Sequence, residues 1–207
     1  GTLIVADLHL GKGASFRAGA IPVPEGSTTE TLQRLSALLT ATHATRLLIL
    51  GDFWHAPSGQ TDAVLAAIQT FRDAHAACEM LLLPGNHDRG DNPNSFLIPR
   101  ASAVLEEPPF RFTHHAPPRA TVNGPLSTIS GHLHPVVRLR GLGRQRHRVV
   151  CFWLAGDALV LPAFGSFTGG HEISLSPGDR VFVPVDNAVV EIWSQAKRTN
   201  NVRRGKG

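Results

Sequence analysis

The chain has 207 residues, 42% of them hydrophobic and 17% charged, with 20 Lys and Arg against 16 Asp and Glu for a net charge of +4. This is the composition of one globular domain with a core large enough to need no disulfide scaffold; it excludes a disordered, collagen-like or small disulfide-rich chain. Half of the basic residues lie in the stretch Arg138–Arg148 or after Glu191, which leaves 10 basic against 16 acidic side chains elsewhere, and eleven histidines are a further excess.

In chain order, Thr2–Ala6 is a short β-branched run that ends in polar residues and reads as a buried strand. Ser27 with Glu30 has the spacing of a capping box, and Leu32, Leu35, Leu38 and Leu39 follow at helical period, predicting a helix from about Thr28 to Thr42. Leu47–Leu50 is the next strand, Thr61–Ala76 a second helix with Val64, Leu65, Ile68 and Phe71 on one face, and Met80–Leu83 a third strand. Such alternation implies a parallel sheet whose strand C-termini share one edge. Beyond Pro93 the chain turns β-rich, with expected strands at Phe110–Thr113, Ser127–Ser130, Val136–Leu139, Val149–Leu154, Ala158–Leu161, Val181–Val185 and Val189–Trp193. The domain is expected to span 1–195, followed by a basic tail over 196–207 that lacks apolar periodicity.

Cys78 and Cys151 are isolated thiols without CxxC spacing, which fits a reducing cytoplasm. No run is apolar and long enough for a membrane-spanning helix, and no basic leader precedes an apolar region, so neither a membrane partner nor a signal peptide is expected.

The chemistry is concentrated at strand ends. Asp7-Leu8-His9 follows the first strand, Gly51-Asp52-Phe53-Trp54-His55 the second, Gly85-Asn86-His87-Asp88 the third, His114-His115 the fourth and Gly131-His132-Leu133-His134 the fifth. Open α/β sheets bind ligands at this edge. In extended chain, residues i and i+2 share a face, so Asp7 with His9, and His132 with His134, can each present two donors to one point. Any one cluster alone reads most simply as a cap or a solvated group. Five in series, with oxygen and imidazole donors and no thiolate, point to Mn, Fe(II) or Zn, and roughly eight donors suit two ions rather than one.

These blocks resemble the signature of the calcineurin-like metallophosphoesterase superfamily, D-x-H, G-D-x-x, G-N-H-D/E, H and G-H-x-H, in order from Asp7 to His134. The resemblance implies an α/β fold, a four-layer αββα sandwich of two facing mixed β-sheets flanked by helices, and hydrolysis of phosphate esters with two divalent ions, Mn first, Fe or Zn otherwise. By the same resemblance, Asp7, His9 and His134 would hold one ion, and Asn86, His132 and one of His114 and His115 the other, with Asp52 between them. His114 is preferred because it comes first after the strand, with His115 as an outer or phosphate contact. His87 would stand near the leaving group, with Asp88 orienting it.

His55 occupies a position where many members carry Asp; an imidazole there can donate to a diester anion that a carboxylate would repel. The plainer reading is that it packs against the ligand shell. Longer blocks, Asp7–Lys12 with Phe16, Arg17 and Gly19, and Leu161–Gly165 with Gly169-Gly170, resemble the small bacterial metallophosphoesterases associated with a DNA ligase and helicase, of DNA endonuclease type. Single-stranded DNA in repair is then the implied substrate, and a helicase or ligase an implied partner. Lys12 and Arg17, in an expected loop, are candidate phosphate contacts. Arg138 and Arg140 open a stretch, continuing through Arg144, Arg146 and Arg148, that would either track a polyanion or form the solvent face of a hairpin turning at Gly141-Leu142-Gly143. Phe53 or Trp54 would offer a stacking surface or pack in the core. The rival readings are a phosphodiesterase or phosphatase for a nucleotide or other small phosphoester, and a non-catalytic metal-binding scaffold that recruits DNA or repair partners.

Overall fold

The computed structural model describes residues 1–88, 97–117, 125–140, 145–186 and 188–194. Its first part runs β1 (Thr2–Val5), α1 (Lys12–Ala18), α2 (Ser27–Thr42), β2 (Arg46–Leu50), α3 (Asp62–Ala74) and β3 (Glu79–Leu83). The three strands form a parallel sheet in the order β1-β2-β3, with Leu3 opposite Leu47 and Leu47 opposite Met80. Successive strand residues face opposite sides, so each strand feeds two cores, which is why these runs read as continuously apolar. Val5, Leu47, Ile49, Met80 and Leu82 pack with Leu32, Leu35 and Leu39 of α2 and with Val64, Ile68 and Phe71 of α3. Ala6, Leu48, Leu50 and Leu83 belong to the second core.

That second core is closed by the later strands: β4 (Val104–Glu107), β5 (Phe110–Thr113), β6 (Ser127–Ser130), β7 (Pro135–Arg140), β8 (Arg146–Val150), β9 (Phe152–Ala155), β10 (Ala158–Val160), β11 (His171–Glu172), β12 (Arg180–Val185) and β13 (Ala188–Ser194). Seven of them form a mixed sheet in the order β13-β12-β9-β10-β6-β5-β4, and it sets Phe112, Ile129, Phe152 and Leu159 against the first sheet. A small sheet, β11-β7-β8, brings Val137 and Val149 into a third core with Trp153, Val181 and Val183. The expected sandwich is present; over β9 and β12 its outer cover is this small sheet.

Four local readings are corrected. Val149–Leu154 is two strands in two sheets, because the chain crosses between them at the buried Cys151, whose N–H donates to the Pro135 carbonyl (3.0 Å); an apolar run carries no mark of such a switch. The capping box is absent: Gly26, at φ 100°, takes the N-cap position, and Ser27 is already helical, its carbonyl accepting from the Thr31 hydroxyl (2.8 Å). Residues 12–18 are helix where a loop was expected, and the strands β4 and β11 were not anticipated. Helix α1 is too short to show a periodic face, and it is placed by a backbone approach: a Cβ at Gly11 (φ 74°) would collide with the Gly59 carbonyl. The β7–β8 hairpin is as expected, while its turn, Arg144 and the 196–207 tail lie outside the described residues. Among the described residues no helix is long and apolar enough to cross a membrane.

Burial pushes the Cys151 thiol pKa up to about 11. Only about one molecule in a thousand is then a thiolate at pH 8. Alkylation of folded protein at that pH should modify Cys78 long before Cys151, with both reacting in denaturant; equal rates by peptide mass spectrometry in the folded state would contradict the packing.

Candidate metal centre

The ends of β1 and β2 do not diverge but continue side by side. Asp7 N–H donates to the Gly51 carbonyl (3.1 Å), His9 N–H to Asp52 (2.9 Å), Leu10 N–H to Phe53 (2.8 Å) and His55 N–H back to Leu10 (3.1 Å). This irregular ladder holds Asp7, His9, Asp52 and His55 in one register. Across from it, Gly131 N–H donates to the His114 carbonyl (3.1 Å), which joins the ends of β5 and β6. Asp7, His9, Asp52, His132 and His134 all have positive φ, between 45° and 72°. Such backbone costs about 1–2 kcal/mol per non-glycine residue and concentrates where the surroundings over-determine it, commonly at functional sites. Two block glycines have steric reasons: a Cβ at Gly51 would strike the His114 imidazole, and one at Gly85 the Asp52 carboxylate.

The Asp52 carboxylate lies between two sets of donors. Its Oδ2 is 3.8 Å from His9 Nε2 and 3.9 Å from His87 Nε2, and its Oδ1 is 3.4 Å from His114 Nε2. On the first side, His134 Nε2 is 3.4 Å from Asp7 Oδ1 and 3.3 Å from His9 Nε2. On the second, His114 Nε2 is 3.0 Å from Asn86 Oδ1 and 3.2 Å from His132 Nδ1. The tautomers follow from backbone carbonyls, which only accept. Nδ1 of His114 faces the Leu50 carbonyl (2.9 Å) and Nδ1 of His134 faces that of Gly169 (3.2 Å), so each neutral ring carries its hydrogen there and turns an Nε2 lone pair inward. Burial, with His134, His87, His55 and Lys12 nearby, pushes the His9 pKa down to about 2, and burial with His114 and His115 lowers that of His132. Lone pairs thus face lone pairs and two buried carboxylates. Asp7 Oδ1 is buried without a hydrogen-bond partner. Divalent cations fit this donor set: Asp7, His9, Asp52 and His134 would hold one, and Asp52, Asn86, His114 and His132 a second. The first four offer ligand atoms all within 4.8 Å of one another.

No protein-family model and no curated protein matches the chain. Among solved structures, the nuclease MPE of Pseudomonas putida is 37% identical over 88% of this chain and 84% of its own, with a TM-score of 0.73. The chain belongs to the metallophosphoesterases of nuclease type. A protein of unknown function from Aquifex aeolicus, AQ665, is 18% identical over 64% of this chain and 78% of its own, with a TM-score of 0.42. The Escherichia coli phosphoesterase YfcE is 14% identical over 91% and 90%, with a TM-score of 0.44. Metal-dependent hydrolysis of phosphoesters is the chemistry of this metallophosphoesterase.

Around the two donor sets, the metallophosphoesterase places the remaining candidates unevenly. His87 turns its Nδ1 to the His55 carbonyl (2.7 Å) and stacks on the His55 ring, with centroids 5.6 Å apart at 20°. Asp88 is not the group that orients it. The fully buried Asp88 carboxylate accepts from Trp54 N–H (3.2 Å) and Gly85 N–H (2.8 Å), tying the loop after β2 to the loop after β3. Burial raises its pKa against those hydrogen bonds. His114 is buried among the inner donors, whereas His115 is exposed, its ring 4.2 Å from that of His132. His55 is half-buried, 5.6 Å from His9 ring to ring, with its Nδ1 lacking a hydrogen-bond partner.

Lys12 sits on α1, half-buried, with its influence felt at His9 and His55. Arg17 turns away to the carbonyls of Val23 (3.4 Å) and Pro24 (3.3 Å), holding the loop ahead of α2. Arg138 pairs with Glu172, and the Arg140 side chain lies outside what is described. Phe53 and Trp54 are both buried, so neither offers a stacking face. Among the described residues, Phe167 is an exposed aromatic that reaches this region through Phe16, which meets the His55 ring; it gives no periodic signal, and its mark in the sequence is its place in a short loop close to Gly169-Gly170.

Proposed function

We propose that this metallophosphoesterase is a DNA endonuclease that prefers single strands, uses two divalent ions with Mn as the first choice, and works in DNA repair. The observation that carries the reading is the Asp52 carboxylate set between two inward-facing donor sets, with His87 and His55 stacked on the same side. Likeness to a nuclease supports it. Bound there, the ions would supply a water acidic enough to attack near neutral pH and offset charge on the phosphoryl oxygens. His87, with Nδ1 committed to a carbonyl, presents Nε2 toward the reacting side and is the group that would donate a proton to the departing sugar oxygen. Burial and the neighbouring Lys12 and His87 lower the pKa of His55, favouring a neutral ring that brings no negative charge to a diester. Asn86 and His115 are exposed beside the second donor set, and Lys12 near the first offers a cation for the backbone.

The test gives metal-free protein Mn, Mg, Zn or no metal with closed circular single-stranded DNA, beside a small aryl phosphodiester. Circles should be linearised with Mn, and His55→Ala should lose about 100-fold on DNA, the effect of one transition-state hydrogen-bond donor, while still binding metal. Hydrolysis of the small ester with every circle intact would overturn the endonuclease reading in favour of a small-phosphoester enzyme.

A further inference from the structure

The site has an aromatic wall assembled from two distant segments. Phe167, 44% exposed, meets the edge of Phe16 with centroids 5.8 Å apart at 77°, and Phe16 meets His55 at 5.6 Å. Lys12 Nζ lies 5.6 Å from the Phe16 centroid and 5.8 Å from that of Phe167. One cation therefore serves both the wall and the imidazoles of the metal site.

The wall is held firmly. Phe164 N–H donates to the Ala6 carbonyl (2.9 Å) and Gly165 N–H to that of Asp7 (3.1 Å), while Ser166 N–H donates to Thr31 Oγ1 (3.3 Å) and Ser166 Oγ to the Ser27 carbonyl (3.3 Å). The residues just before Phe167 are thus sewn to the end of β1 and the first turn of α2. An ordered apolar ring left in water beside a cation is a surface that a flat apolar group would cover at little entropic cost.

We infer that Phe167, backed by Phe16, stacks the nucleobase next to the cut, and that Lys12 takes the adjoining backbone phosphate. This rests on the reading of the substrate as a DNA strand and adds where the strand's bases lie. Every base has a π-face, so such a wall grips without choosing sequence. It also selects unpaired bases, because within a duplex both faces of a base are already stacked.

The test uses the full chain and short single-stranded oligonucleotides, intact or with one abasic nucleotide stepped past the cut. Binding is measured with metal chelated, and cleavage with Mn. One abasic position should weaken wild-type binding about 10-fold; Phe167→Ala should bind the intact strand about 10-fold more weakly with no further loss at that position. Phe167→Trp should restore both, and in cleavage the loss should fall in KM with the same positional dependence. Equal affinities of Phe167→Ala and wild type, or a loss that adds in full to that of every abasic position, would overturn the wall. If wild type shows the positional pattern in binding but cuts no strand, the endonuclease reading fails and the stacking wall stands.

Discussion

Replacing Asp52 by Asn should lower phosphodiester cleavage by more than about 1,000-fold and abolish the thermal stabilisation that metal confers. The substitution is nearly isosteric. Asp52 Oδ1 accepts the His87 N–H (3.0 Å), and an Asn carbonyl keeps that bond, so the fold is retained. What disappears is the one charge shared by both donor sets. Without metal the variant should be at least as stable as wild type, because a buried carboxylate with no counter-charge is gone and an amide N–H can face the lone pair of His9, which burial keeps neutral. In wild type, an ion at 100 times its Kd adds about 2.7 kcal/mol. For a chain of this size that is a rise in Tm of roughly 5–10 °C per ion. Thermal melts across a Mn titration, with a cleavage assay on the same samples, make the measurement. An Asp52→Asn protein that keeps the full metal-induced rise would remove Asp52 from its place between the ions.

His87→Ala should lower kcat on DNA by about 100- to 10,000-fold, the range for loss of general acid catalysis, and hydrolysis of a nitrophenyl phosphodiester by less than about 5-fold. The difference arises at the leaving group: a sugar alkoxide needs a proton as it departs, whereas a nitrophenolate does not. His87 is suited to this asymmetry. Its Nδ1 is held by the His55 carbonyl, its side chain is 37% exposed, and its Nε2 faces the Asp52 side. Truncation leaves no closed cavity, so the variant should fold, and its backbone N–H to Asp52 remains. A steep dependence of rate on leaving-group acidity, absent in wild type, is the expected signature. Equal losses on both substrates would mean that His87 only supports the ligand shell.

Much of this was legible along the chain because it is local. The β-branched and leucine-rich runs of β1, β2 and β3 declare buried strands, and the spacing of Leu32, Leu35 and Leu39 declares α2, since both follow from the periods at which side chains repeat. Donors at successive strand ends had to converge once the strands were parallel. Asp88 was misjudged because adjacency to His87 says nothing about which backbone N–H groups a buried carboxylate will reach. The break at Cys151 was hidden because either sheet buries the same apolar residues.

The chain alone therefore determined the strands β1 to β3, the helices α2 and α3 between them, their parallel sheet and the residue kinds that meet at its edge, all properties of short-range pattern. Only the tertiary structure decided that His114 rather than His115 lies inside, that Arg17 is spent on a loop, and that Phe16 and Phe167, about 150 positions apart, form one wall with Lys12. Those outcomes depend on which backbone groups and rings meet across the packed sheets, and contacts between distant segments leave no period in a sequence.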